Sequence, residues 1–336
     1  MKAAVVDEWG RAPIYTDHPE PVARDGGVVA TVEASALTNL TKGLVSGKHY
    51  ASKELTLPVI PGADGIVRLE DGTRVYTGAL KPYGMMAERT LVDPHGAVVI
   101  PDDVDSVTAA AIPNPGVSAW MSLEHAAAIR PGDNVLVLGA TGVTGSTAVQ
   151  LAKSAFGAGR VVVAGRDTTR LDWLRTVGAD DAIAIGSEDL RARVASLHAE
   201  RPFDAVLDYL WGEPAEQVLD ALGTSELAAR YHHTRYAQIG SMAGLTMTLP
   251  AGILRSAAIT ISGVGLGSIP PEVIGRIRAE ALPKMFAMVA AGELHLGVEA
   301  RSLADVERAW TAKEPSGTRI VLTPYRTQAQ IEGASR

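Results

Sequence analysis

The residues with the clearest chemical meaning are Val135-Leu136-Val137-Leu138-Gly139-Ala140-Thr141-Gly142-Val143-Thr144-Gly145. An apolar run ends in a turn that reads A-x-G-x-x-G, with Ala140 where a first glycine often stands. Such turns need small residues: Gly142 lets the backbone approach a pyrophosphate, and Gly145 lets the following helix lie close on the strand. The N–H groups that open that helix face the anion. Thr141, Gly142, Val143 and Thr144 are therefore candidate phosphate contacts. The end of the next apolar run then selects between dinucleotides. An NAD site usually carries Asp or Glu there, to accept from the ribose 2′-OH. Here Val161-Val162-Val163-Ala164 runs into Gly165-Arg166-Asp167, with Arg170 one turn later. A carboxylate would repel a 2′-phosphate; Gly165 leaves room, and Arg166 brings a planar fork of donors. NADP(H) is the preferred cofactor, and Asp167 suits a helix N-cap.

These residues need a scaffold of strands that end side by side. Residues 117–266 alternate helical patterns with apolar strands at Asn134–Leu138, Arg160–Ala164, Asp181–Ile185, Phe203–Asp208, Arg235–Ile239 and Ala258–Val264. Apolar runs of this kind, separated by helices, predict an α/β fold with a doubly wound parallel sheet covered on both faces. Gly240-Ser241 and Val264-Gly265-Leu266 fall just past two of those strands, where open α/β sheets bind ligands. Tyr209 is a further cofactor-contact candidate after a third. Residues 1–116 read differently, as short strands at Met1–Val6, Gly27–Ala34, Gly65–Leu69, Thr73–Tyr76, Ala87–Val92 and Ala97–Ile100, separated by Gly, Pro and Asp. A helix is expected over Pro271–Ala291, a short one near Leu303–Trp310, a strand at Arg319–Leu322, and a loose tail over Arg326–Arg336.

Composition narrows the function classes. The 336 residues are 46% hydrophobic and 21% charged, and the net charge of -7 offers no basic footprint for nucleic acid. With no cysteine, disulfides, thiolate nucleophiles and cysteine-containing zinc sites are all excluded. No apolar stretch approaches the ~18 residues a membrane helix needs, and the first charged residues come too early for a signal-peptide core. A cytoplasmic enzyme acting on a small molecule is the expectation. Adjacent His232 and His233 lack partners at metal-ligand spacing and read as surface residues; Trp120, Trp173 and Trp310 read as core.

The segment Asn134–Lys153, the Arg130-Pro131-Gly132-Asp133 turn before it, Pro61-Gly62-Ala63-Asp64-Gly65, Asn114-Pro115-Gly116, Gln238-Ile239-Gly240-Ser241 and the closing Ser316-Gly317-Thr318-Arg319-Ile320-Val321-Leu322 resemble the medium-chain dehydrogenase/reductase superfamily, in its quinone oxidoreductase and enoyl reductase branch. The resemblance spans nearly the whole chain. It implies a β-rich GroES-like catalytic domain made from both ends of the chain (1–116 and 267–336) around a Rossmann domain (117–266), and a homodimer. It also implies that Asn114 and Ser118 approach the nicotinamide ribose and phosphate. Zinc-using relatives carry a Cys near Thr38, a Gly-His-Glu where this chain has Gly62-Ala63-Asp64, and a four-cysteine lobe absent here. The resemblance therefore implies catalysis without zinc.

It further implies that the segment from Ala34 to Tyr50 forms the substrate face. Asn39 matches the Asn of an Asn-Pro-x-Asp element, with Leu40 and Lys42 replacing Pro and Asp. Tyr50 falls where related reductases carry a tyrosine proposed as proton donor; a phenol, with a pKa of about 10, is protonated at neutral pH. A Lys42 cation would stabilise a developing oxyanion. Tyr50, Lys42 and Asn39 are thus the catalytic candidates, each open to a plainer role as cleft wall or solvated helix residue. Three functions remain: hydride transfer from NADPH to a quinone or activated C=C, zinc-independent reduction of a ketone or aldehyde, and non-catalytic NADPH binding by a sensor or partner protein.

Overall fold

Burial separates two kinds of strand in the computed structural model, which describes residues 1–24, 26–223 and 231–325. The chain divides into two compact units, Met1–Asn114 with Arg278–Arg336, and Pro115–Ile277. In the first, strands are short and mostly antiparallel. β1 (Lys2–Val5) and β2 (Ile14–Asp17) pair as a two-stranded sheet. β3 (Val28–Ala36) is central to a larger sheet, flanked on one side by β4 (Gly65–Arg68), then β5 (Arg74–Tyr76) and β7 (Val98–Val99); β6 (Arg89–Val92) pairs with its first half. Directly after β3 comes α1 (Asn39–Val45), started by Thr38, whose Oγ1 accepts from the Thr41 N–H at 3.1 Å. One 3₁₀ turn, Tyr50–Glu54, follows, and α2 (Ser106–Ala111) is capped by Asp105.

The second unit takes in α3 (Pro113–Met121) from Pro115 onward, and α3 continues into a π-helical turn at Ser122–Ala126. It then alternates: β8 (Asn134–Leu138), α4 (Val143–Ser154), β9 (Arg160–Gly165), α5 (Thr168–Thr176), β10 (Asp181–Ala184), α6 (Leu190–Glu200), β11 (Ala205–Asp208), α7 (Gly212–Leu222), β12 (His233–Gln238), α8 (Ala251–Ser256), β13 (Ala258–Gly263) and α9 (Pro271–Arg276). The sheet order is β10-β9-β8-β11-β12-β13, parallel throughout. This is the doubly wound Rossmann order, and its switch point lies between β8 and β11. Val135–Leu138 and Val161–Ala164 have no exposed surface, because helices cover both faces. Each such Val or Leu contributes about 1.5–3 kcal/mol through burial.

The first unit is completed by a π-helical turn at Ile277–Ala281, α10 (Leu282–Ala290), β14 (Gly297–Ser302), α11 (Val306–Thr311) and β15 (Thr318–Thr323). β15 joins β3, giving the order β14-β15-β3-β4-β5-β7. The helix expected over Pro271–Ala291 is divided by that π turn between the two units. Their second boundary falls at Ile277 rather than at residue 266, since Arg276 of α9 pairs with Glu124 at 2.5 Å. Sequence patterning passed over β2, β14, α1 and α8, all short; the tail expected over Arg326–Arg336 lies outside the described residues.

Candidate active site

The glycine turn of the second unit is built by close backbone approach. A Cβ on Gly145 would stand 2.4 Å from the Gly139 carbonyl oxygen, and one on Gly165 would stand 2.5 Å from Thr141 Cγ2. The turn thus lies flat on the ends of β8 and β9, and α4 starts at Gly142 with no side-chain cap. The amides of its first turn are left for an external acceptor. Beside them, Arg166 is exposed and makes no hydrogen bond or ion pair among the described residues. Asp167 caps α5 by accepting from the Arg170 N–H at 3.0 Å. The Arg170 guanidinium lies 4.0 Å over the Trp173 ring, and its Nε and Nη2 are buried without a hydrogen-bond partner. Burial lowers its pKa, against the pull of Asp167. Trp173, read as core, is a half-buried platform for this cation.

Other candidates gather at the same carboxyl edge of the sheet. Gly240 and Ser241 follow β12, and Val264, Gly265 and Leu266 follow β13. Tyr209 follows β11 but is buried, with Gly240 packed on its backbone: a Cβ there would be 2.6 Å from the Tyr209 carbonyl oxygen. Burial raises the Tyr209 phenol pKa well above its usual range. The turn is held by Asp208, which accepts from the N–H groups of Leu210 (2.8 Å) and Trp211 (2.9 Å) and from the Tyr236 hydroxyl (2.7 Å). Asn114 and Ser118 both lie on α3, Asn114 as the last residue of the first unit's opening segment. At the opposite edge, His232 is not a plain surface residue; its Nε2 lies 3.0 Å from the Phe203 carbonyl oxygen and 3.4 Å from Asp204.

In the first unit, α1 places Asn39 at its start and Lys42 one turn on. Asn39 is exposed, whereas Lys42 is half-buried. Burial lowers the Lys42 pKa, Glu314 opposes that shift and Arg319 adds to it. Tyr50 opens the next turn at 61% exposure, its ring stacked on His49 at 4.1 Å. Sequence reasoning missed the charges that surround α1. Asp64, buried, accepts from the Tyr76 hydroxyl at 3.0 Å, and Arg278 donates to that hydroxyl at 3.2 Å. Burial raises the Asp64 pKa, with Tyr76, Arg278 and Arg319 opposing. Next to Asp64, the Ala63 N–H reaches Thr41 Oγ1 at 3.4 Å and so ties the loop to α1. A charged Arg319 at the head of an apolar strand was the available signal; Glu314 carried none. Among the described residues no group of three or more His, Cys, Asp or Glu could hold a metal ion.

Comparison with known proteins agrees with this architecture. Residues 143–274 match the family described as zinc-binding dehydrogenase. A protein of Emericella nidulans named "Probable NADPH-dependent quinone reductase tdiC" is 26% identical over 96% of this chain and 100% of its own length. The 2-methylene-furan-3-one reductase of Solanum lycopersicum is 31% identical over 67% of this chain and 61% of its own length. The quinone oxidoreductase of Thermus thermophilus, solved also in complex with NADPH, superposes with a TM-score of 0.74 and 28% identity, covering 96% of this chain and 100% of that one. A two-unit oxidoreductase with a Rossmann sheet and a separate, mostly antiparallel sheet is the class these features define. The partial family match, the relatives and the solved structures together support a medium-chain dehydrogenase/reductase, similar to its quinone oxidoreductase-like branch.

Proposed function

We propose that the protein is a zinc-independent, NADPH-dependent oxidoreductase that reduces a quinone or an activated C=C bond. The observation that carries this reading is the pair Arg166 and Arg170 beside the uncapped start of α4. Arg166 is unpaired among the described residues, and Arg170 carries buried donors with no acceptor. A 2′-phosphate would supply the missing acceptor; Gly142, with no side chain, leaves the dinucleotide its close approach, and Gly145 and Gly165 let the turn pack on Gly139 and Thr141. The names of the Emericella nidulans and Thermus thermophilus relatives point the same way. When bound, the reduced nicotinamide supplies the hydride. This chain's residues do the rest: the α4 amides hold the pyrophosphate, the two arginines hold the extra phosphate, and Lys42 or Tyr50 gives a proton to the oxygen of the reduced substrate. Independence from zinc rests on residue types, since there is no cysteine anywhere and Asp64 is engaged by Tyr76.

Calorimetry with NADPH and NADH on the native protein and on Arg166→Ala tests the cofactor. The substitution is expected to weaken NADPH by about tenfold and leave NADH unchanged; equal effects on both would overturn the 2′-phosphate role. Turnover against quinones, enones and simple ketones tests the substrate class. The half-buried Lys42 favours one second reading, ketone or aldehyde reduction, because a cation is well placed to stabilise an alkoxide; alcohol products would establish it. We further read the protein as a cytoplasmic homodimer. Supporting the dimer, β13 ends the parallel sheet with no further strand among the described residues, and Met242 and Leu245 are 70% and 86% exposed. Among the described residues no helix is long and apolar enough to cross a membrane.

A further inference from the structure

Tyr50 is the more exposed of the two candidate proton donors, and the structure surrounds it with restraints that the proposed chemistry does not yet use. The helix before it is anchored first. Buried Arg319 donates from Nη1 to the Leu37 carbonyl oxygen at 3.0 Å and to Glu314 Oε2 at 3.4 Å. Leu37 directly precedes the Thr38 cap, so this arginine joins β15 to the start of α1. The chain then leaves α1 through Ser46, whose Oγ donates to the Gly43 carbonyl oxygen at 2.6 Å and accepts from the Lys48 N–H at 3.1 Å. Gly47, at φ 74°, turns against Trp9, and a Cβ there would stand 3.2 Å from the Trp9 side chain; the corner is shaped for glycine. Beyond the corner, Ser52 Oγ donates back to the Leu44 carbonyl oxygen at 2.6 Å and ties the Tyr50–Glu54 turn to α1.

His49 completes this frame. Its Nδ1 accepts the Ala51 N–H at 3.2 Å, so the imidazole caps the turn that Tyr50 opens. The same ring lies 4.1 Å from the Tyr50 ring at a tilt of 32°, and its Cδ2 would stand 3.7 Å from a Cβ on Gly43 of α1. An exposed phenol otherwise samples several rotamers, each of which places the hydroxyl elsewhere. We propose that His49 is a positioning residue for Tyr50: it caps the turn, backs the ring, and so presents the hydroxyl in one orientation. The inference rests on the reading of Tyr50 as the proton donor. In that step the Tyr50 O–H bond breaks, the proton goes to the substrate oxygen as the substrate carbon takes the hydride, and the phenolate recovers a proton from solvent. A stack of this kind favours one ring orientation by about fivefold. The gain is realised when the proton moves, so removing the stack lowers kcat and leaves KM alone.

The test follows turnover of quinones and enones by the full-length protein at saturating NADPH. His49→Ala should lower kcat about fivefold with KM held within about twofold, and His49→Phe, which restores a ring behind Tyr50, should recover most of that loss. His49→Asn keeps an acceptor for the Ala51 N–H but no aromatic ring, and carries the comparison if the alanine variant does not fold. In a Tyr50→Phe background the same substitution should lower kcat no further. An equal loss in both backgrounds, or an unchanged kcat in the native one, overturns the proposal. Fluorine NMR of the apoprotein with 3-fluorotyrosine at position 50 reads the stack without any substrate. Its signal should move in His49→Ala, and a signal that stays put overturns the proposal equally. A signal that moves in a protein whose kcat is indifferent to Tyr50→Phe would reject Tyr50 as the donor and leave the His49–Tyr50 stack intact.

Discussion

The proposed cofactor crevice and the α1 cluster are built from opposite materials. The crevice is a main-chain site: a turn flattened on β8 and β9, the first amides of α4, and glycines admitted only because a Cβ would collide. The cluster is a side-chain site whose charges come from a loop, two strands, a helix and the turn before β15. A backbone site is fixed by local sequence and tolerates little substitution within it. A site made of distant side chains is fixed by packing, and can be tuned one residue at a time.

Substitutions sharpen this contrast. Gly145→Val should be the most damaging, since the new Cβ would stand 2.4 Å from a backbone oxygen that cannot move aside. It should cost about 1–3 kcal/mol of stability and remove measurable NADPH binding in calorimetry; retained binding would show the crevice to be softer than its geometry. Asp64→Ala should cost about 3 kcal/mol in denaturant unfolding, because it leaves the Tyr76 hydroxyl, Arg278 and Arg319 without their buried acid. NADPH affinity should be unaffected, and a coupled loss would erase the distinction between the two sites. Arg170→Ala should weaken NADPH by about tenfold or more through lost charge-assisted contacts and leave melting temperature nearly constant.

A smaller effect is expected at the far edge of the Rossmann sheet. His198 Nδ1 accepts the Phe203 N–H at 3.1 Å, and burial, then the neighbouring His232, lower the His198 pKa below the usual 6.5, against Asp204. A histidine held neutral in the fold but free to charge when unfolded contributes stability that is fully present above about pH 6.5 and lost as the pH falls through that value toward its lower folded pKa. Melting scans between about pH 7.5 and 5.5 should show a decline that His198→Asn flattens.

The same contrast explains what could be read without coordinates. Strands buried on both faces, such as Val135–Leu138, announce themselves as unbroken apolar runs, and the glycine turn sits at a fixed offset from the first of them. So the parallel sheet and the glycine turn at the head of α4, on which the proposed cofactor site rests, were legible. Short β2 and β14 were not, because four to six half-exposed residues carry no decisive alternation. Glu314 was invisible for another reason: its partner is Arg319, whose own hold on Leu37 reaches across almost the whole chain. Trp173 and His232 were misjudged because local apolarity and adjacency say nothing about a guanidinium overhead or a carbonyl alongside.

The Arg319–Leu37 hydrogen bond spans 282 positions of chain, and β15 must reach β3 to make it. During translation, every contact needed by Pro115–Ile277 is available before β15 leaves the ribosome, whereas the first unit still lacks one of its inner strands. Order of synthesis therefore favours a nascent chain whose Rossmann half is already folded while its first half waits with part of the edge of β3 unpaired.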